Sequence, residues 1–142
     1  MHRFLASLLC AATVTLAPIV AGATPLVARV DIASQTMTVY QDGKPTFEWP
    51  VSTARPGKVT PRGTWTAQWL SKHHRSSRYN NAPMPFAIFF NGNYAIHGTD
   101  QINRLGRPAS AGCVRLHPDH AAKLFAMTRD VGLSNMQVVI VN

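Results

Sequence analysis

The chain has 142 residues, with 14 Lys and Arg against 6 Asp and Glu, a net charge of +8 with His counted neutral, and only 2 cysteines. That length leaves room for one domain and excludes a multidomain enzyme, while two cysteines exclude a fold stapled by several disulfides. The positive charge suits polyanionic surroundings such as anionic lipid, wall polymer or nucleic acid, and no recognised nucleic-acid motif accompanies it.

Met1-His2-Arg3 gives a basic start, Phe4 to Val20 is apolar with small polar interruptions, and Ala21-Gly22-Ala23 is an A-x-A exit. This pattern predicts a secretory signal peptide over residues 1–23. The rival reading, an uncleaved anchor, is weakened by Ser7, Thr13, Thr15 and Pro18. Leu9 stands where lipid attachment at Cys10 needs a small residue. Cleavage after Ala23 leaves residues 24–142, which are 119 residues with 13 Lys and Arg against 6 Asp and Glu. A domain of that size folds without a disulfide.

Leu26 to Ile32 and Thr36 to Tyr40 are read as strands, followed by a turn at Gln41-Asp42-Gly43-Lys44. Thr46 to Thr53 returns as a strand, with Pro50 marking an edge or bulge. Pro56-Gly57 and Pro61-Arg62-Gly63 punctuate a loop before a strand over Thr64 to Leu70. Ser71 to Pro85 has little periodicity and is read as a long loop. Phe86 to Phe90 and Tyr94 to Ile96 flank Asn91-Gly92-Asn93, a hairpin signal. Gly98 to Gly112 is irregular, and Pro118 opens a helix whose 3.6-residue period, Leu116 included, runs to about Asp130. Gly132 stops it, and Met136 to Val141 is a final strand. Many short strands and one main helix near the C-terminus predict a mostly-β sandwich or open barrel.

In the mature chain Cys113 is unpaired, so it is an intermolecular bridge, a buried spectator or a reactive thiol. It lies in Ser110-Ala111-Gly112-Cys113-Val114-Arg115-Leu116, sixteen residues beyond His97-Gly98-Thr99. A catalytic thiol needs a lowered pKa, which a nearby imidazole supplies by taking the proton. His97 at a strand end is held rigidly, and the Gly98 carbonyl is open to accept its other ring proton and fix the tautomer. Gly112 permits a tight turn beside the nucleophile, with the amides of Gly112 and Cys113 facing a developing oxyanion.

These residues resemble the catalytic signature of the L,D-transpeptidases, the YkuD-type domain, whose pattern pairs His-Gly-Thr with a downstream Ser-His-Gly-Cys-hydrophobic-Arg. The similarity extends through Thr60-Pro61-Arg62-Gly63-Thr64, Met84-Pro85-Phe86 and Asp119 to Leu124, and covers Leu26 to Asn142. One departure is Ala111, where the family often has His. The resemblance implies a β-sandwich-like fold and a peptidoglycan stem-peptide substrate. Cys113 would attack the carbonyl of the third stem residue and release terminal D-Ala, and an amine would then accept the acyl group from the thioester. His97 would act as general base and acid, Gly98 would orient it, and Gly112 and Cys113 would hold the oxyanion. Ser110 would shape the elbow, and Arg115 either holds the nucleophile loop or meets a substrate carboxylate. Tyr79, Met84 and Thr99 are the substrate-side candidates, and the loop bearing His73 and His74 would face substrate.

His117 and His120 stand at i,i+3, a spacing compatible with two metal ligands, but no second cysteine completes a zinc site. No metal and no cofactor are expected. The acceptor is left open between another stem peptide, an envelope lipoprotein, a D-amino acid and water, the last giving an L,D-carboxypeptidase or amidase. A non-catalytic basic wall-binding domain is the alternative from a different class. The expected location is the periplasm, with no membrane span after signal cleavage.

Overall fold

The computed structural model describes residues 24–142, so the expected signal peptide lies outside the described residues. Nine strands and one main helix form two sheets. The strands are β1 Leu26–Asp31, β2 Thr36–Gln41, β3 Lys44–Pro50, β4 Gly63–Thr66, β5 Trp69–Arg75, β6 Pro83–Asn91, β7 Tyr94–Gly98, β8 Val114–Leu116 and β9 Met136–Val141. The helix, α1, spans Pro118–Val131. One sheet has the order β3-β2-β1-β9-β4 and the other β5-β6-β7-β8. The pairs β1–β9 and β7–β8 are parallel and the rest antiparallel. The mostly-β expectation with one main helix holds, as two sheets and not a closed barrel.

Strict alternation explains the first sheet: Leu26, Ala28 and Val30 of β1 point inward, as do Met136, Val138 and Ile140 of β9. Ile88, Phe90, Ile96, Val114 and Leu116 meet them from the second sheet, and Ala121 and Leu124 of α1 complete the core. Each such large side chain contributes roughly 1.5–3 kcal/mol on burial. The helix starts at Pro118, with the ring nitrogen of His117 accepting the Asp119 amide at 3.1 Å. It ends at Gly132, whose φ of 88° breaks the helical path.

Four sequence expectations are corrected. Thr64 to Leu70 is two strands, because the chain changes sheet: the Ala67 amide donates to Met136 O and the Gln68 amide to Phe89 O. Ser71 to Pro85 is a hairpin, with β5 and β6 paired from Trp69↔Phe89 to Arg75↔Pro83. Its turn is closed by the Ser76 amide on Ala82 O at 2.9 Å. As an edge strand that is largely exposed, β5 carries no alternating apolar signal. Strand β3 ends at Pro50, an edge position, and Val51 to Ala54 cross to the second sheet, where Ser52 bridges Arg115 and Ala54 bridges Ser110. Leu116 belongs to the short strand β8 and not to the helix.

Candidate active site

The parallel pairing of β7 with β8 sets Ile96 opposite Val114 and His97 opposite Arg115. Ile96 and Val114 enter the core between the sheets. By alternation, His97 and Arg115 occupy the opposite face, with Ala95 and Cys113 one pleat earlier. On that face Cys113 packs against a small apolar cluster of Met84, Ala87, Phe89 and Ala95. His97 and Cys113 therefore lie on the same face of the sheet, on adjoining segments of the chain.

His97 is buried, with Nδ1 2.7 Å from Gly98 O. A carbonyl only accepts, so Nδ1 carries the proton and the Nε2 lone pair of the neutral ring is free. Burial lowers the His97 pKa to about 4, with the Gly98 bond opposing and the charges of Arg115 and His74 assisting. Gly98 also packs tightly: a Cβ there would lie 3.1 Å from the Pro85 ring and 3.2 Å from Pro118 Cα.

Burial pushes the Cys113 thiol up, while a backbone hydrogen bond from Ala95 and the charge of Arg115 pull it down by less. The expected depressed thiol pKa is therefore absent from the resting site, because the apolar cluster desolvates the sulfur. The Cys113 Sγ lies 3.8 Å from Asn93 O, and among the described residues no hydrogen bond joins it to His97. The pair rests as neutral thiol and neutral imidazole.

The nucleophile loop is held by hydrogen bonds that the chain spacing does not announce. Ser110 Oγ donates to Cys113 O at 2.6 Å and accepts the Gly112 amide at 3.0 Å. The Gly112 N–H is therefore engaged, which corrects the expectation that it faces an oxyanion. Among the described residues the Cys113 N–H has no such partner. Gly112 has φ +139°, and a Cβ there would lie 2.8 Å from the Tyr94 ring and 2.9 Å from Val59 O. Thr60, missed at the sequence level despite its place in a quoted motif, donates from Oγ1 to Gly112 O at 2.8 Å and accepts the Ala54 amide at 3.0 Å.

Arg115 is half-buried, its guanidinium donating to Gln101 Oε1 at 3.1 Å and its backbone exchanging hydrogen bonds with Ser52. Burial lowers its pKa, and Cys113, Arg55, Arg104 and Asp100 are its charged or titratable neighbours. Thr99 is buried, its amide donating to Leu116 O and its hydroxyl accepting the Gln101 amide at 3.1 Å. Met84 joins Cys113 in the apolar cluster, whereas Tyr79 is exposed in the β5–β6 turn. His74 stands edge-on to Phe89 at 4.9 Å and to Trp69 at 5.5 Å, and Trp69 stacks flat on Phe89 at 3.9 Å. His117 caps α1, and its ring is 5.4 Å from that of His120, which stacks on Trp49.

A family model for the L,D-transpeptidase catalytic domain, YkuD, matches residues 25–140. The chain belongs to the L,D-transpeptidase catalytic domain family. A solved L,D-transpeptidase from Stackebrandtia nassauensis is 28% identical with a TM-score of 0.73, over 83% of this chain and 56% of that one. An L,D-transpeptidase from Mycobacterium smegmatis shares 24% identity and a TM-score of 0.74, over 83% and 59%. L,D-transpeptidase 3 from Mycobacterium tuberculosis, solved with a faropenem-derived adduct, shares 18% identity and a TM-score of 0.72, over 83% and 60%. Against these three the L,D-transpeptidase domain described here spans between 56% and 60% of the partner chain's length. A search of curated proteins returned no match.

Proposed function

We propose that this protein is a secreted peptidoglycan L,D-transpeptidase, with residues 1–23 as signal peptide, residues 24–142 as the catalytic domain and the periplasm as its location. The observation that carries the reading is the placement of Cys113 and His97 on one sheet face, with His97 Nδ1 tied to Gly98 O and Nε2 left free.

Nε2 takes the thiol proton as Sγ attacks the carbonyl carbon of the third residue of a donor stem peptide. This timing follows from the resting protonation states: neither the thiolate nor the imidazolium is favoured before attack. The new C–S bond leaves negative charge on the carbonyl oxygen, and the Cys113 N–H is the amide free to receive it. Collapse of the intermediate breaks the C–N bond to D-Ala, whose nitrogen takes the proton from Nε2. An acceptor amine then attacks the thioester, gives its proton to Nε2, and releases the sulfur, which regains that proton. Ser110 and Gly112 shape the loop, and Gly98 orients the base. Arg115 holds Gln101, and its charge favours the thiolate of Cys113. Met84 and Tyr79 contact the donor, and Thr99 supports its subsite from within the chain. The acceptor is an amine, whether of another stem peptide, of an envelope lipoprotein or of a free D-amino acid.

Two measurements test this. Incubation with faropenem is expected to add one penem-derived mass to the mature protein and none to Cys113→Ala, and no adduct on folded wild type would refute the nucleophile assignment. Muropeptides incubated with the wild type are expected to yield a Cys113-dependent cross-link. A Cys113-dependent tripeptide without cross-link would replace transfer by hydrolysis.

A further inference from the structure

Next to the nucleophile loop, with Thr60 in its wall bonded to Gly112 O, lies a cleft of about 340 Å³ that the proposed chemistry does not use. Arg55, Lys58 and Arg62 line it, and no Asp or Glu does. All three are exposed, and among the described residues none forms a salt bridge. Arg55-Pro56-Gly57-Lys58 is a β-turn closed by the Lys58 amide on Arg55 O at 3.0 Å, with Gly57 at φ +84°. Pro at the second and Gly at the third position suit a type II turn, which brings the first and fourth residues close. One four-residue turn thus carries two exposed cationic residues at the edge of the cleft. Arg62 comes from the opposite side, anchored by its bond to Asn142 Oδ1 at 3.0 Å. Ile32, Val59 and Pro108 give the wall an apolar part, beside Thr53 and Thr60.

The cleft is wired to the nucleophile. The Arg55 amide donates to Ser110 O at 2.9 Å, and Thr53 O accepts the amides of Ala109 and Ser110. Thr60, in the cleft wall, donates to Gly112 O. A ligand that draws Arg55, Lys58 and Arg62 together therefore pulls on the two residues that set the Cys113 backbone.

We propose that this cleft binds the phosphate of a phosphorylated saccharide and that occupancy is transmitted to Cys113 through Thr60 and Ser110. Three cations match a doubly charged phosphate better than a single carboxylate. The apolar wall suits the C–H face of a sugar ring, and the volume is that of a small-ligand site.

The test is an amide-resolved NMR titration of the mature chain with glucosamine 6-phosphate. Inorganic phosphate, glucosamine and phosphatidylglycerol vesicles form separate arms. Saturable shifts at Arg55 to Arg62 and at Gly112 are expected with the sugar phosphate, with weaker binding of inorganic phosphate and none of glucosamine. Lys58→Glu/Arg62→Glu, folded by circular dichroism, is expected to bind about tenfold or more weakly. Thr60→Val is expected to keep the shifts at Arg55 and Lys58 and to diminish the one at Gly112, leaving only the route through Ser110. Saturating ligand should slow alkylation of Cys113 by iodoacetamide roughly twofold or more, as added negative charge disfavours the thiolate. Equal affinity for inorganic phosphate, preference for the vesicles, or no saturable shift would each overturn the proposal. So would retained affinity in the double variant, or a Gly112 shift that is undiminished in Thr60→Val.

Discussion

His97 makes the domain's stability acid-sensitive in a way that is measurable without any substrate. Its folded pKa is about 4 against an ordinary value of 6.5, chiefly through burial. Between those values the unfolded chain binds the proton that the folded chain refuses. The stabilisation is thus complete above pH 6.5 and is lost as the pH falls toward 4. A gap of about 2.5 pH units, at roughly 1.4 kcal/mol per unit, amounts to about 3 kcal/mol. Against a typical domain stability of about 5–15 kcal/mol this is a large fraction. His97→Asn keeps an amide N–H for the Gly98 carbonyl and removes the titration. Urea unfolding of both proteins at a series of pH values gives the difference directly. The lowered pKa of His120 acts in the same direction, but equally in both proteins, so it cancels in that difference. The wild type is expected to lose about 3 kcal/mol more than the variant between neutral pH and pH 4. Parallel loss in the two proteins would refute the assignment of a neutral, desolvated imidazole.

Three further outcomes are expected. Alkylation of Cys113 by iodoacetamide should rise with pH toward a midpoint above 9, since burial raises the thiol; a plateau at mildly acidic pH would indicate a resting ion pair instead. Gly112→Ala should destabilise the domain by roughly 2–4 kcal/mol, from the φ of +139° and from contact with a backbone oxygen, read as a drop in Tm. Thr60→Val preserves shape but removes the partner of Ala54 N and Gly112 O, so urea unfolding should report a loss of about 1–3 kcal/mol.

The close packing around His97 and Cys113 was legible in adjacent residues: the glycine after the histidine and the glycine before the cysteine are the positions where side chains would collide. Thr60 was not, because its partner Gly112 is 52 residues away and the bond is to a main-chain oxygen. The Gly112 amide was misassigned for a local reason: the Ser110 hydroxyl, two residues earlier, reaches it first. The first sheet was legible because it is apolar on one face only, so strands β1, β2 and β9 alternate. Strand β5 was not, since it is an exposed edge whose polar residues show no period. Phe86 adds a break of its own: with φ at 56° it turns its ring onto Phe125 of α1, 5.7 Å away between centroids.

The step from β4 to β5 has a mechanical consequence. Ala67 and Gln68 are consecutive, and their amides are bonded to opposite sheets, one to Met136 and the other to Phe89. Two successive peptide units, joined at the Ala67 Cα, therefore belong to different hydrogen-bond networks, and loosening one sheet strains the other. The two halves are expected to exchange their amide hydrogens as one cooperative body.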